Sequence, residues 1–196
     1  MMKVVASFVA GVWSLAVLAE AMTWQVNQKT GDDEAAAADT TGKTPFATIQ
    51  AAVAAAKDGD TIRVAPGVYK ETPITDANGN SRLVVNKELT IEATGSRDDT
   101  VIEGAWDPSD ATHGLGPNAV RCVSIESEAT LKGFTFLNGA TQSGKDLPAT
   151  SGGGVFVKSG VSGVNIVDCT FDNCSSTRGG GEAGCAYFAR AVVARL

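Results

Sequence analysis

The chain has 196 residues, 43% hydrophobic and 19% charged, which is long and apolar enough for one domain with a real core and excludes a disordered chain. Its formal net charge is −6, its pI is about 4.8, and it has no run of lysine or arginine. Nucleic acid is therefore excluded as a partner on electrostatic grounds, and attraction to anionic membranes or polyuronates would need a bridging cation.

The first residues read as an export signal. Met1, Met2 and Lys3 form a short basic start, Val4 to Ala19 is uncharged and largely apolar, and Ala19-Glu20-Ala21 places small residues around a cut before Met22. Residues 1–21 are thus expected to be a signal peptide and the mature chain to be secreted or held at the cell surface. The apolar run is shorter than the roughly 20 residues a spanning helix needs, and no later segment is longer, so no membrane span is expected after cleavage. Residues 22–44 include "TGDDEAAAADTTGKT", whose polarity predicts a lead-in that forms a loop or an ordered edge rather than core.

Next comes a helix signal. Thr44 before Pro45 offers a start, with Thr48 as an alternative N-cap, and Ile49, Ala52, Val53 and Ala56 fall on one helical stripe. Lys57 and Gly59 are expected to end the helix, by charge and by left-handed backbone respectively. From Thr61 the period changes to two, with Ile62 and Val64 on one face and Thr61 and Arg63 on the other, until Pro66-Gly67 turns the chain.

Short strands follow: "RLVV", "LTIEA", "TVIEGA", "CVSIES", "TLKGFTFLNG", "GVFVKS" and "VNIVDCTFDNC", with no second amphipathic helix before residue 182. "ATLKGFTFLNG" from Ala129 repeats as "VNIVDCTFDNC" from Val164, pairing Leu131 with Ile166, Phe134 with Cys169, Phe136 with Phe171 and Asn138 with Asn173. Val164 and Ile166 alternate inward, as do Cys169 and Phe171, but the gap between Ile166 and Cys169 is odd, so the chain must bend at Val167-Asp168. Copies stacked about 4.8 Å apart would let Asn138 and Asn173 bond amide to amide at the next corner. The triplets Gly152, Gly153, Gly154 and Gly179, Gly180, Gly181 would serve where the backbone turns tightly between copies.

"TPFATIQAAVAAAKDGDTIRVAPGVYKE", residues 44–71, resembles the opening of right-handed parallel β-helix proteins of the pectin-lyase-like superfamily, and the Phe-x-Asn and glycine landmarks extend the likeness to about residue 181. The resemblance implies an all-β, right-handed parallel β-helix solenoid over residues 45–181, with a short N-terminal helix capping the first of about four to seven coils. The "QDT" of similar pectin methylesterases and the "NTD", "GHG" and "RIK" of polygalacturonases are absent, and "GGGVFV" stands where a glutamine-bearing strand would be expected. "GGGV" with "FLN" and "FDN" is also similar to chlamydial polymorphic outer-membrane repeats, one residue short of their "FxxN".

Candidate binding residues are few. Asp168, Thr170 and Asp172 alternate outward, so two carboxylates would share a solvent face suited to calcium or to acid and base work, although a plain solvated face explains them equally well. Lys158 and Arg178 are placed to flank that face. Trp106 is a natural sugar platform if it lies exposed beside a groove, and half-buried packing if it does not. The aspartates of "DPSD", Asp107 and Asp110, are expected to satisfy loop backbone groups, with His113 a loop residue. Cys122, Cys169, Cys174 and Cys185 allow three disulfide pairings, buried thiols, or zinc at Cys169 and Cys174, for which no histidine is near.

Residues 182–196, "EAGCAYFARAVVARL", lose the turn residues and read either as a helical cap, with Tyr187, Phe188, Ala191 and Val192 near helical spacing, or as the interrupted end of a longer solenoid. The functional expectation is an exported noncatalytic module that binds a polysaccharide or cell-surface glycan, with no resident cofactor beyond a calcium ion at most. The alternative is a polysaccharide lyase whose active coils are missing or unrecognised.

Overall fold

The structure, a computed structural model, describes residues 20–144 and 146–178, together with the backbone of strands at 186–188 and 193–195. The expected export signal up to residue 19, the second glycine triplet and Cys185 lie outside the described residues. β1 (Thr23–Val26), α1 (Asp33–Ala38) and α2 (Ile49–Ala55) come first. β2 (Thr61–Val64), β3 (Gly67–Tyr69), β4 (Ile74–Asp76) and β5 (Gly79–Val85) follow. β6 (Leu89–Ala93), β7 (Thr100–Glu103), β8 (Arg121–Ile125), β9 (Ala129–Lys132), β10 (Thr135–Leu137) and β11 (Val155–Val157) continue the series. β12 (Asn165–Val167), β13 (Thr170–Asp172), β14 (Ala186–Phe188) and β15 (Val193–Arg195) complete it.

These strands form three sheets, mostly parallel, ordered β1-β2-β6-β9-β12-β15, β3-β7-β10-β13 and β4-β5-β8-β11-β14. From β2 onward the chain visits the first, second and third sheets in the same order four times, and each strand pairs in parallel with its counterpart one circuit away. Among the strand pairs of the described residues, the β4–β5 hairpin is antiparallel, as is an isolated bridge between Ala105 and Val120.

Register turns the period-two pattern into columns. Trp24, Ile62, Ile91, Leu131 and Ile166 stack in the first sheet, and Tyr69, Ile102, Phe136 and Phe171 in the second. Leu83, Val123 and Val155 stack in the third, beside Val85, Ile125 and Val157. These side chains all belong to one apolar core or pack against it. The expected pairs Leu131–Ile166 and Phe136–Phe171 are register partners, and the latter rings stand 5.0 Å apart.

α2 carries the expected stripe, with Ile49, Ala52, Val53 and Ala56 all buried. Thr48, not Thr44, is its N-cap, accepting from the Ala51 amide at 3.2 Å. Its C-terminus departs from expectation too. Lys57 and Gly59 fall beyond the Ala56 cap, and the last carbonyls are taken instead by Lys87, whose Nζ donates to the oxygens of Val53, Ala54 and Ala56 at 2.9, 2.8 and 2.6 Å. A cation far away in sequence thus does what the local lysine was expected to do.

The lead-in is more structured than its polarity suggested. β1 is the ordered edge, but Trp24 and Val26 belong to the core. The polar stretch also forms α1, capped by Asp32 accepting from the Glu34 and Ala35 amides, with Ala36 its one buried residue. Asp33 ties α1 to the start of α2 by accepting from the Ala47 and Thr48 amides and the Thr48 hydroxyl. A good cap and an alanine run suffice for a short helix once a neighbour holds it.

At the other end, the described parts of residues 182–196, at 186–188 and 193–195, are strands and not the helix of the cap reading. Ala186–Phe188 pairs in parallel with β11, and Val193–Arg195 pairs in parallel with β12. Open ladder positions on β11 and β12 template extended backbone, which overrides the helical spacing of the tail.

Truncating a column residue should be expensive. Ile91→Ala is expected to lower unfolding free energy by about 2–5 kcal/mol in a denaturant titration, whereas Val68→Ala, at 41% exposure, should change it by less than about 0.5 kcal/mol.

Candidate functional site

The candidate site grows from the corner after the second sheet. Asn138 follows β10 and Asn173 follows β13, both in the left-handed region, with φ of 54° and 52°. Asparagine tolerates that backbone better than most residues, and the conformation turns its amide along the stack. Asn173 Nδ2 donates to Asn138 Oδ1 at 2.6 Å, so the expected amide ladder forms. It continues beyond the repeat: Asn138 Nδ2 donates to Glu103 Oε1 at 3.3 Å, and Lys70 Nζ lies 3.5 Å from Glu103 Oε2.

Arg82 backs this row. Its Nε donates to the Glu103 carbonyl at 2.8 Å, Nη2 to the Gly104 carbonyl at 3.4 Å, and Nη1 to the Glu71 carbonyl, which closes the corner beneath the ladder. Burial lowers the Arg82 pKa, opposed by Cys122, Glu71 and Glu103. Burial likewise raises the Glu71 carboxyl, whose Oε1 has no hydrogen-bond partner.

Trp106 completes the site. It is half-buried and its Nε1 donates to the Asn173 carbonyl at 3.2 Å. Gly114, at φ +66°, packs so closely that an added Cβ would come within 2.3 Å of the indole. Two aspartates fold the loop that brings Gly114 there. Buried Asp107 accepts from the Ser109 hydroxyl and the Ser109 and Asn118 amides, and Asp110 from the amides of Thr112, His113 and Leu115. Those bonds hold both carboxyls below the usual carboxylate range, Asp107 chiefly through the Ser109 hydroxyl and Asp110 chiefly through the His113 amide. An open groove of about 460 Å³ results, lined by Lys70, Arg82, Glu103, Trp106, Asn138 and Asn173 among others. It offers an aromatic face beside a fixed row of donors and acceptors.

The other expected site residues do not join it. The bend falls at Asp168, as the odd spacing required, with φ 51°. That puts Asp168 off the strand Thr170–Asp172, so Asp168 and Asp172 do not share a strand face, and Arg97 Nη1 occupies Asp168 Oδ1 at 2.8 Å. Lys158 lies beyond β11 and pairs with Glu126 at 2.8 Å rather than flanking those aspartates. Arg178 bridges to Ser151. Among the described residues, no group of three His, Cys, Asp or Glu side chains is arranged to hold a metal. Cys122 and Cys169 are buried free thiols; Cys122 Sγ donates to the Leu137 carbonyl, and burial pushes the Cys169 thiol up. Cys174 Sγ donates to the Phe136 carbonyl at 3.3 Å.

Two glycines of the first triplet sit where the backbone is tight. Gly152 has φ +64°, and an added Cβ at Gly153 would lie 2.1 Å from the Ser175 carbonyl oxygen and 2.6 Å from that of Gly139, so neighbouring circuits approach too closely for a side chain.

Sequence reasoning missed Lys70, Arg82 and Glu103. "VIEG" at 101–104 aligns with "TFLN" at 135–138 in the observed register, a signal that would have placed Glu103 beside the ladder. Comparisons with protein-family models, with curated proteins and with solved structures found no match.

Two variants separate the backbone from the amide at the ladder. Asn138→Ala should destabilise by roughly 1–3 kcal/mol, losing the amide bonds and straining a left-handed backbone. Asn138→Gly loses the same bonds without that strain and should cost about 1 kcal/mol less, the reverse of the usual ranking, read by chemical denaturation.

Proposed function

We propose that this chain is an exported right-handed parallel β-helix of the pectin-lyase-like kind that binds a polysaccharide or cell-surface glycan without acting on it. The cyclic strand order and parallel pairing support the solenoid reading, and the strong right-handed preference of parallel crossovers supports the hand. α2 then plays the part of the cap, lying against β1, β2 and β5 at the first circuit.

The observation that carries the binding reading is the half-buried Trp106 beside the Lys70–Glu103–Asn138–Asn173 row in one open groove. An indole face stacks on the apolar face of a sugar ring, while fixed amides, a carboxylate and an ammonium select among hydroxyls and acidic substituents. Glu103 is held by both Lys70 and Asn138, and that favours a recognition role over proton transfer.

Calorimetric titration with soluble pectate, alginate and neutral glycans, with and without calcium, tests the proposal. Saturable binding is expected, weakened roughly tenfold or about 1.4 kcal/mol by Trp106→Ala at a temperature where a melt shows the variant still fully folded. No binding to any glycan, or equal binding by the variant, would reject this groove. Steady release of unsaturated uronate products would replace the binding reading with a lyase.

A further inference from the structure

Asp60 lies between α2 and β2 and is only 4% exposed. Among the described residues no lysine or arginine forms an ion pair with it. Its Oδ2 accepts from Trp24 Nε1 at 2.9 Å and from the Lys57 amide at 2.8 Å, and its Oδ1 accepts from the Met22 backbone nitrogen at 2.7 Å. A buried carboxylate served only by neutral donors is costly, because hydrogen bonds replace part of its hydration but not a counter-charge. Burial works to raise this carboxyl, yet the Lys57 and Met22 amides, the Trp24 indole and the nearby Lys57 charge hold it below its ordinary value.

The Met22 nitrogen is fixed in place by the sheet. The Thr61 amide donates to the Met22 carbonyl at 2.9 Å, and from Thr23 onward β1 is paired residue by residue with β2. On the other side of that nitrogen, Glu20 and Ala21 are exposed and belong to no strand or helix. The small residues flanking Glu20 put the expected export cut at this same peptide bond.

We propose that Met22 is the mature N-terminus and that its processing completes the fold: the nitrogen already seated on Asp60 becomes an ammonium and supplies a directly bonded counter-charge, where Lys57 acts only without an ion pair. The inference rests on the export reading. Water adds across the Ala21–Met22 amide under an export-linked protease. Ala21 leaves with a carboxylate, and Met22 keeps an amine that takes a proton from solvent. No rearrangement is required, since the donor is 2.7 Å from its acceptor before the cut. Met22 borders a cleft of about 260 Å³ that Glu20, Thr40, Lys57 and Asp58 also line, and loss of Glu20 with the cleaved segment would open it further to water. The ion pair then fastens β1, the edge strand of the first sheet, to the junction of α2 and β2.

The test begins with N-terminal sequencing of exported protein, expected to start at Met22. That chain is then melted beside the same chain acetylated at the Met22 nitrogen. The free amine should melt roughly 3–6 °C higher, and Asp60→Asn should erase the difference. If Asp60→Asn does not fold, acylation of the unmutated chain decides. The Met22 amine should react more slowly than exposed Lys29, although a free α-amine is intrinsically less basic and more often unprotonated. Equal melting of the free and acetylated chains, a difference that survives Asp60→Asn, or an α-amine that labels before Lys29 would overturn the inference. A different first residue on exported protein would overturn it alone, leaving export intact. Retention with Met1 in place would overturn export as well, while glycan binding at Trp106 stands or falls by its own titration.

Discussion

Register between successive circuits is the constraint on which the other features depend. Each inward residue lies against its counterpart one circuit away, so Ile62, Ile91, Leu131 and Ile166 must all be apolar and face the same side, and a slip by one residue would turn a strand inside out. The corners inherit the same discipline. Between Ile166 and Cys169 the count is odd, and the chain keeps both inside only by placing Asp168 in the left-handed region. Once corners align, residues with no role in the core are stacked as well, and Asn138 meets Asn173 for that reason.

Stacking of this kind creates an exposed ladder edge wherever the stack begins, and the N-terminal segment is built largely to cover it. On β5 the hairpin partner β4 covers one part, and Gln50 covers another: its Oε1 accepts from the Val84 amide at 2.9 Å and its Nε2 donates to the Val84 carbonyl at 3.4 Å, an imitation of a strand in one side chain. On β3, Gln28 Nε2 donates to the Val68 carbonyl. α2 seals the core above with its small apolar stripe, and Lys87 quiets its terminal carbonyls. Gln28, from the stretch whose polarity predicted a lead-in, is one such terminator of hydrogen bonding.

The groove is a by-product of the same alignment with one addition. The polar row comes from stacking, but the indole beside it comes from the long connection between β7 and β8, where Asp107 and Asp110 shape a loop and Gly114 lets the backbone lie against Trp106. The stacked row and the loop-borne aromatic thus line one groove. The residues best suited in isolation to chemistry, Asp168 and Lys158, are already engaged by Arg97 and Glu126.

Much of this was legible in the sequence because it is local or periodic. The α2 stripe, the strand segments, the bend at Asp168, the pairing of Asn138 with Asn173 and the tight glycine turn each follow from spacing, since a side chain's face is fixed by helical or strand period alone. What the sequence could not assign were contacts between residues far apart in the chain and unrelated by the repeat. Lys87 on the α2 carbonyls, Gln50 on Val84, Arg82 on three carbonyls, and Asp60 on Met22 and Trp24 carry no periodic signal. The tail shows the limit from the other side: its spacing left a helical cap and a further run of the repeat both open, and at 186–188 and 193–195 the backbone pairs with neighbouring strand edges. Sequence determined which residues face inward and where the chain must turn; tertiary structure decided which polar groups meet, because that depends on how the circuits lie against one another in space.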